Sequence, residues 1–304
     1  MATDAEKWKQ LPSLSAKLPW HTESFEHKLK TPFQKLLQEW SKVPEQEVIS
    51  HILQVRQEAW QIFPWPCIGE FWFIEQGLLR HPDYSRILAQ VTKTPDSKFL
   101  DLGTCLGQDL RTLAYDGAPV SSLYGADMNE AWRDAGYSLF NDRDRLGPSH
   151  FITGDIFSDS GDLAKTRGEW DVVHISMFLH LFSLPDQEAA SRNILRLLKA
   201  TPGSCIVGTQ TGSLDVGDFE LQPPLCEPGE HKVIYRHSKS SLKTLFEQAA
   251  KAIGVEVVVW TEYDEAEARE RAEGRIEKGE GWEKAERFFT GDREKRIFFR
   301  VEIV

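Results

Sequence analysis

From residue 96 onward, short apolar runs alternate with longer amphipathic segments. This alternation is typical of a parallel sheet whose strands are joined by crossover helices. We therefore predict an α/β fold with a doubly wound, seven-stranded Rossmann-like sheet, in which ligands bind beyond the carboxyl ends of the strands. The predicted strands are 98–102, 121–126, 149–153, 170–175, 204–209, 254–262 and 296–303. The predicted helices between them are 107–116, 129–141, 187–199 and 238–252.

The chain before residue 96 has a different pattern. Apolar residues recur there at three- and four-residue spacing over about residues 22–90, which predicts helices and no strand. Pro64 and Pro66 interrupt this pattern inside the segment 60–74, where six of fifteen residues are aromatic. We therefore predict a helical N-terminal cap. The predicted domains are the cap at 1–95 and the sheet domain at 96–304, with a charged helical insertion at about 264–289.

Charge and composition exclude several classes of protein. Lysine and arginine number 36 against 47 acids, and the net charge of −11 repels both nucleic acid and an anionic membrane surface. No apolar run approaches the ~20 residues that span a bilayer, and the N-terminus lacks a secretory signal pattern. The four cysteines show no C-x-x-C spacing, so we expect no metal site and no disulfide scaffold. These features predict a protein of the reducing cytoplasm.

The first predicted strand runs into a glycine turn and then a helix, with the sequence F-L-D-L-G-T-C-L-G-Q-D at 99–109. Glycines let the backbone approach a ligand closely, and the start of the helix offers free N–H groups. A dinucleotide fingerprint would be G-x-G-x-x-G, whereas here Asp101 precedes Gly103 and Gly107. A carboxylate at this place suits a ligand with a cationic amino or sulfonium group better than a pyrophosphate. By itself, the turn is also compatible with a purely structural junction.

The following predicted strands also end in polar residues. Asp127 lies about 20 residues beyond the glycine turn, where nucleoside-binding sheets place the acceptor for ribose hydroxyls. Asp155, followed by Ile156, suits an adenine amino group and ring, although an acid at such a place is often a helix cap. The fourth strand ends at His174 and Ser176. Together these residues predict a nucleoside-containing ligand.

These features resemble the class I S-adenosylmethionine-dependent methyltransferases, whose first motif is D-x-G-x-G-x-G. The variant D-L-G-x-C-L-G-Q-D-L-R at 101–111, followed by D-G-A-P at 116–119, looks more narrowly like the fungal O-methyltransferases of meroterpenoid and polyketide pathways. The segments P-W-P-C-I at 64–68 and A-G-Y-S-L-F-N-D-R at 135–143 match the same group. The resemblance covers about residues 55–260.

The resemblance implies a methyltransferase sheet, S-adenosylmethionine as cofactor and a small-molecule substrate, which the helical N-terminal cap at 1–95 helps to enclose. The implied reaction is O-methylation of a carboxylate, or of an acidic enol or phenol hydroxyl, on a bulky apolar secondary metabolite. Two alternatives stay open: an enzyme of this fold that catalyses a cyclisation or elimination with bound cofactor, and a non-catalytic methyltransferase-like regulator. Formation of a homodimer also stays open. The candidate cofactor-binding residues are Asp101, Gly103, Thr104, Cys105, Gly107, Asp127, Met128, Asp155, Ile156, His174 and Ser176.

Methyl transfer from a sulfonium needs mainly alignment and exclusion of water. A carboxylate is ionised at neutral pH and needs no base, whereas a phenol with a pKa near 10 does. His180, just past the fourth strand, is the candidate catalytic base or orienting group, unless it merely lies on the inner face of a helix. The candidate substrate-binding residues either line an acceptor pocket or belong to the helical core and to a solvated loop; they are Trp60, Phe63, Trp65, Phe71, Trp72, His231 and His237.

Cys105 stands where the general methyltransferase motif has its middle glycine. We therefore predict that the backbone of Cys105 needs no positive φ and that its thiol is structural. The surrounding acids should raise the pKa of the thiol and reduce its reactivity.

Overall fold

The computed structural model describes residues 18, 20–94, 96–221, 225–226, 229–266 and 294–304. The strands in this part of the chain are β1 (Phe99–Leu102), β2 (Leu123–Asp127), β3 (Phe151–Thr153), β4 (Val172–Ser176), β5 (Cys205–Ser213), β6 (Gly217–Glu220), β7 (Val233–Arg236), β8 (Val257–Tyr263) and β9 (Glu294–Ile303). Seven of them form one sheet in the order β3-β2-β1-β4-β5-β9-β8. Strands β1 to β5 are parallel, and β9 runs antiparallel to both β5 and β8. The predicted doubly wound, seven-stranded sheet is confirmed.

The helices of the described residues are α1 (Thr31–Lys35), α2 (Val48–Ile62), α3 (Pro66–Gly69), α4 (Tyr84–Lys93), α5 (Gln108–Tyr115), α6 (Ala131–Phe140), α7 (Asp162–Lys165), α8 (Leu184–Leu197) and α9 (Lys239–Ile253). A π-helical turn, Leu36–Trp40, extends α1. The four predicted helices of the sheet domain correspond to α5, α6, α8 and α9. No helix in the described part of the chain is long and apolar enough to cross a membrane.

Local sequence signals explain where the longer helices begin and end. The Ser183 side chain caps α8 by accepting a hydrogen bond from the Asp186 N–H, and Ser238 caps α9 in the same way through the Ser241 N–H. Gly254 ends α9 in a left-handed conformation with a φ of 74°, which glycine adopts without strain. These signals account for the close agreement of the predicted and observed helices.

The structure differs from the prediction at two places after β4. Strand β5 continues through the polar residues to Ser213, because β9 pairs with it along its whole length. Strands β6 and β7 form a hairpin in what the sequence indicated was a long loop. Neither segment shows the apolar alternation that identifies a strand in a sequence. Most of the predicted insertion at 264–289 lies outside the described residues.

The side chains of β1 alternate between the two faces of the sheet. Leu100 and Leu102 pack into the core beneath α8 and α9. Phe99 packs on the opposite face, in the core formed with α4 and α5. Because successive residues of a strand point to opposite faces, Asp101 lies on the α4 and α5 side.

The helical cap and the sheet domain share one hydrophobic core. The cap contributes residues such as Phe33, Ile52 and Trp60, and helix α6 contributes Trp132 and Phe140. Leu106, from the glycine turn, is buried in the same core. The cap therefore packs directly against the loop that the sequence predicts as the cofactor site. As predicted, the described part of residues 22–90 contains no strand.

Candidate active site

The glycine turn joins β1 to α5 at the carboxyl edge of the sheet. Gly103 and Gly107 have positive φ angles of 75° and 73°. The N–H groups of Gly103 and Thr104 donate to the Ala126 carbonyl at 2.8 and 3.0 Å, which ties the turn to β2. A Cβ atom on Gly103 would lie 2.8 Å from the Phe178 ring, so this ring packs directly on the turn. The turn requires glycine at both positions.

A buried ion pair supports the turn from below. The Arg111 guanidinium donates to the two carboxylate oxygens of Asp142 at 2.9 and 3.0 Å, and both side chains are fully buried. The same guanidinium donates to the carbonyls of Leu106 and Gly107 at 3.1 and 3.4 Å. The Trp40 indole N–H of the cap donates to Asp142 at 3.0 Å. One carboxylate thus connects the cap, α5 and the glycine turn.

Sequence reasoning did not single out Arg111 or Asp142, although both lie inside the motifs at 101–111 and 135–143. Charged residues are almost never fully buried unless they are paired. The only signal in the sequence was that the two motifs carry residues of opposite charge. The spacing of residues along the chain does not show which of these charges form an ion pair.

Asp127 ends β2 beside the turn, as predicted. Its Oδ2 accepts the Cys105 N–H at 3.1 Å, and its Oδ1 accepts the Asn129 N–H at 3.3 Å. Burial raises the pKa of Asp127 to about 6. A small cleft that is open to solvent begins at Thr104 and Asp127 and continues to Thr153 at the end of β3. Asp127 is therefore ionised at neutral pH and lines an accessible cleft.

The candidate residues that follow β2 and β3 differ in exposure and in their contacts. Asp155 accepts the N–H of Phe157, two residues ahead, at 2.9 Å, so it makes a local turn contact. Ile156 is buried in the core beneath α8, whereas Met128, next to Asp127, is 55% exposed. Met128 therefore faces solvent, and Asp155 and Ile156 both line a small pocket near α7 and α8.

Asp101 and His174 contact each other at the ends of β1 and β4. The His174 Nδ1 lies 2.7 Å from the Asp101 Oδ1, and the Thr104 hydroxyl donates to the Asp101 Oδ2 at 2.7 Å. Ser176 shares a hydrogen bond of 2.8 Å with the Thr209 hydroxyl. His174 is 1% exposed, so its side chain is closed off from direct contact with a ligand.

The prediction for the backbone of Cys105 is wrong, because its φ is 50°. The turn imposes the left-handed conformation that the family glycine would adopt without strain. The raised pKa of the thiol is confirmed, but the main cause is a hydrogen bond with Cys67 of α3, followed by burial, and the nearby Asp127 charge contributes less. Cys67 and Cys105 bring the motif at 64–68 into contact with the cofactor motif.

Replacing Cys105 with alanine removes this thiol contact and leaves the backbone strain unchanged. We expect Cys105→Ala to keep most of the methyl-transfer activity, because a thiol with a raised pKa is a poor nucleophile. Cys105→Gly is the matched variant, since it also removes the strain. Steady-state rates and thermal unfolding of both variants check this. A loss of more than about a hundredfold in a folded Cys105→Ala protein would assign the thiol a direct role.

His180 lies in a short 3₁₀ turn, Leu179–Leu181, directly after β4. Its Nδ1 atom is buried and has no hydrogen-bond partner among the described residues. Burial, followed by the charges of Arg236 and Arg296, lowers the pKa of His180 to about 3. The imidazole is therefore neutral at neutral pH, and it can still donate or accept one hydrogen bond.

The other two candidate histidines lie in different environments, one buried and one exposed. His237 is 2% exposed at the start of α9, where its Nδ1 lies 3.0 Å from the Ser241 hydroxyl. His231 is on the surface of the β6–β7 hairpin and pairs with Glu220 at 2.7 Å. His231 thus occupies the solvated position that the sequence left as an alternative.

The aromatic residues of the cap also differ in their burial. Trp60 and Phe71 are buried in the core of the cap, and the Phe71 ring stacks on Phe25 at a centroid distance of 4.3 Å. The positions of these two rings agree with the interpretation that they belong to the helical core. Phe63, Trp65 and Trp72 are half-buried and stay candidates for a pocket wall. In the described residues, no group of three or more His, Cys, Asp or Glu side chains is arranged to hold a metal ion.

A sheet of this order with an antiparallel β9, a glycine turn after β1 and an acid at the end of β2 defines a class I methyltransferase. The comparisons with known proteins agree. Residues 20–74 match the model of the meroterpenoid methyltransferase N-terminal domain. The chain belongs to the family of fungal secondary-metabolite methyltransferases, which includes the three relatives described below. It is an S-adenosylmethionine-dependent O-methyltransferase.

Three relatives illustrate the similarity. The O-methyltransferase phiE of a fungal species is 36% identical over 238 residues, which cover 78% of this chain and 77% of that protein. Methyltransferase ausD of Penicillium brasilianum is 38% identical over 240 residues, covering 78% of this chain and 83% of that protein. O-methyltransferase atr3 of Stereocaulon alpinum is 33% identical over 290 residues, covering 93% of this chain and 78% of that protein. These matches favour a methyltransferase over a cyclase or a regulator.

Proposed function

We propose that this methyltransferase transfers the methyl group to a carboxylate oxygen of a bulky apolar secondary metabolite. The observation that carries the proposal is the environment of His180, the only predicted catalytic residue. Its pKa of about 3 lies about seven units below that of a phenol. General bases work best when their pKa lies near the operating pH. An acceptor that is already ionised needs no such base.

The charges around His180 support an anionic acceptor. Arg236, at the end of β7, is 4% exposed, and Arg296 approaches Glu75 of the cap at 3.6 Å. Both guanidinium groups disfavour the protonated form of His180, and the same positive potential favours a carboxylate. The amide of Gln210 on β5 is also buried and has no partner among the described residues, so it is a further candidate to bind the acceptor.

The residues of the glycine turn and of β2 fit the cofactor. The left-handed Gly103 and Gly107 allow close approach to the backbone. Each Asp127 carboxylate oxygen accepts one main-chain N–H and retains a lone pair for a ribose hydroxyl. Asp101 supplies a negative charge for the cationic part of the cofactor. When bound, S-adenosylmethionine supplies an activated methyl group.

In this proposal, the protein aligns the two reactants and excludes water. The cap covers the carboxyl edge of the sheet, and Phe63, Trp65 and Trp72 form part of the wall that contacts the apolar body of the acceptor. Neutral His180 donates or accepts a hydrogen bond and orients the acceptor carboxylate. Alignment of this kind accounts for a large part of the rate in reactions that need no proton transfer. The four cysteines are free thiols, which supports action in a reducing cytoplasm.

We expect His180→Gln to lose less than the ~10²- to 10⁴-fold that general-base catalysis contributes. Glutamine retains a hydrogen-bonding group but cannot take a proton at these pH values. Because His180 titrates near pH 3, the wild-type rate should also stay flat from about pH 6 to pH 9. Single-turnover rates with labelled cofactor and a panel of apolar acids and phenols measure both effects.

The matched control is His231→Gln, which changes a histidine on the surface hairpin and should leave the rate unchanged. Two results together would contradict the proposal: a rate that climbs tenfold per pH unit, and a thousandfold loss in His180→Gln. They would indicate a phenol or alcohol that is activated by histidine.

A further inference from the structure

A buried polar layer lies beneath the glycine turn, on the face of the sheet that α4 and α5 cover. Asp101 and His174 are direct neighbours in the register of β1 and β4, and they are 5% and 1% exposed. Asp109, on the first turn of α5, is 2% exposed. The main chain of Leu78 donates to the Asp109 Oδ1 at 3.0 Å, so the segment before α4 closes the layer.

Both oxygens of the Asp101 carboxylate are held by the protein. The Thr104 hydroxyl of the glycine turn donates to Oδ2, and the His174 Nδ1 contacts Oδ1. The two distances are 2.7 Å each, which is typical of strong hydrogen bonds to a charged group. The His174 ring therefore determines the direction in which the carboxylate presents its remaining lone pairs.

The layer places one imidazole between two buried carboxyl groups. Burial lowers the pKa of His174, but the hydrogen bond and the charge of Asp101 outweigh it, so the pKa is raised. Burial raises the pKa of Asp109 to about 6, and the charge of His174 partly opposes this shift. Burial lowers the pKa of the nearby His81 to about 4, so it is neutral, and burial together with the charge of Asp101 raises the pKa of Asp127 to about 6. His174 is the group in this layer whose pKa responds to both Asp101 and Asp109.

We propose that His174 is a positioning residue, which holds the Asp101 carboxylate in the orientation that faces the amino group of the cofactor. Without this hydrogen bond, the Asp101 Oδ1 would lose its partner on the neighbouring strand, and only the Thr104 hydroxyl would hold the carboxylate. The inference rests on cofactor binding at the glycine turn and is independent of which acceptor is methylated.

Two variants test the hydrogen bond between His174 and Asp101. His174→Asn places an amide N–H near the position of Nδ1, and His174→Leu offers no hydrogen-bonding group. We expect His174→Leu to bind S-adenosylhomocysteine at least about tenfold more weakly, with a smaller loss in His174→Asn. Isothermal titration calorimetry measures both effects.

A second ligand distinguishes positioning from damage to the fold. Methylthioadenosine contains the nucleoside part of the cofactor but not its amino acid part, so its affinity should be unchanged in both variants. The control variant is His150→Leu, which removes a half-buried histidine that precedes the edge strand β3 and contacts the Leu123 carbonyl. Equal losses for both ligands, or unchanged binding of S-adenosylhomocysteine in folded His174→Leu, would overturn the proposal. Neither measurement involves an acceptor, so an error in the proposed acceptor class leaves the result interpretable.

Discussion

Asp142→Ala is expected to lower the free energy of unfolding by about 3 to 5 kcal/mol. The substitution leaves the Arg111 guanidinium fully buried without its carboxylate, and the Trp40 indole N–H loses its acceptor. An uncompensated buried charge is among the most destabilising changes that one substitution can cause. Denaturant unfolding of the full chain measures the difference.

Two further variants test this explanation. Asp144→Ala changes an exposed acid two residues away, and it should alter the stability by no more than about 0.5 kcal/mol. The double variant Arg111→Met with Asp142→Leu removes both charges, and it should recover most of the lost stability. If Asp142→Ala is as stable as the wild type, the ion pair does not hold the cap, α5 and the glycine turn together.

Asp127→Ala is expected to weaken binding of S-adenosylhomocysteine at least tenfold, because each hydrogen bond to a charged group contributes about 1.5 to 3 kcal/mol. Calorimetry at about pH 8 is appropriate, since the pKa of Asp127 is raised to about 6 and the carboxylate is then ionised. For the same reason, the wild-type affinity should decline as the pH falls below about 6. In Asp127→Asn, the amide retains part of the hydrogen bonding, so its loss should be smaller.

The control for this experiment is Asp134→Ala, an exposed acid on α6 that pairs with Arg133. It should leave the affinity unchanged. Undiminished binding in Asp127→Ala would show that the acid at the end of β2 does not contact the cofactor, and the proposed orientation of the nucleoside would then be wrong.

The sheet and the main features of the site were predictable because their signals are local. A buried strand such as β4 is a short apolar run, and the glycine turn after β1 needs residues that tolerate positive φ. Acids at the ends of β1 and β2 follow from the same reasoning, because the carboxyl ends of parallel strands meet at one edge of the sheet.

The features that were missed depend on residues far apart in the chain. The β6–β7 hairpin and the end of β5 lack an apolar pattern, and hydrogen bonds with partner strands stabilise them. The positive φ of Cys105 follows from the path of the whole turn, although its side chain predicts the opposite. The core positions of Trp60 and Phe71 depend on α6 and on other parts of the cap.

The sequence by itself determined the seven strands of the main sheet and the helices between them, the glycine turn and the class of ligand that binds there. Periodicity, turn residues and strand-end acids act within a few residues, so their consequences are visible in one dimension. Only the tertiary structure decided which charges meet: Arg111 with Asp142, and His174 with Asp101. Burial and neighbouring charges also decided the pKa values of the two histidines. The Asp101 carboxylate raises the pKa of His174, whereas burial and two arginines lower the pKa of His180. The free energy of a buried charge depends on neighbours that the chain brings together only when it folds.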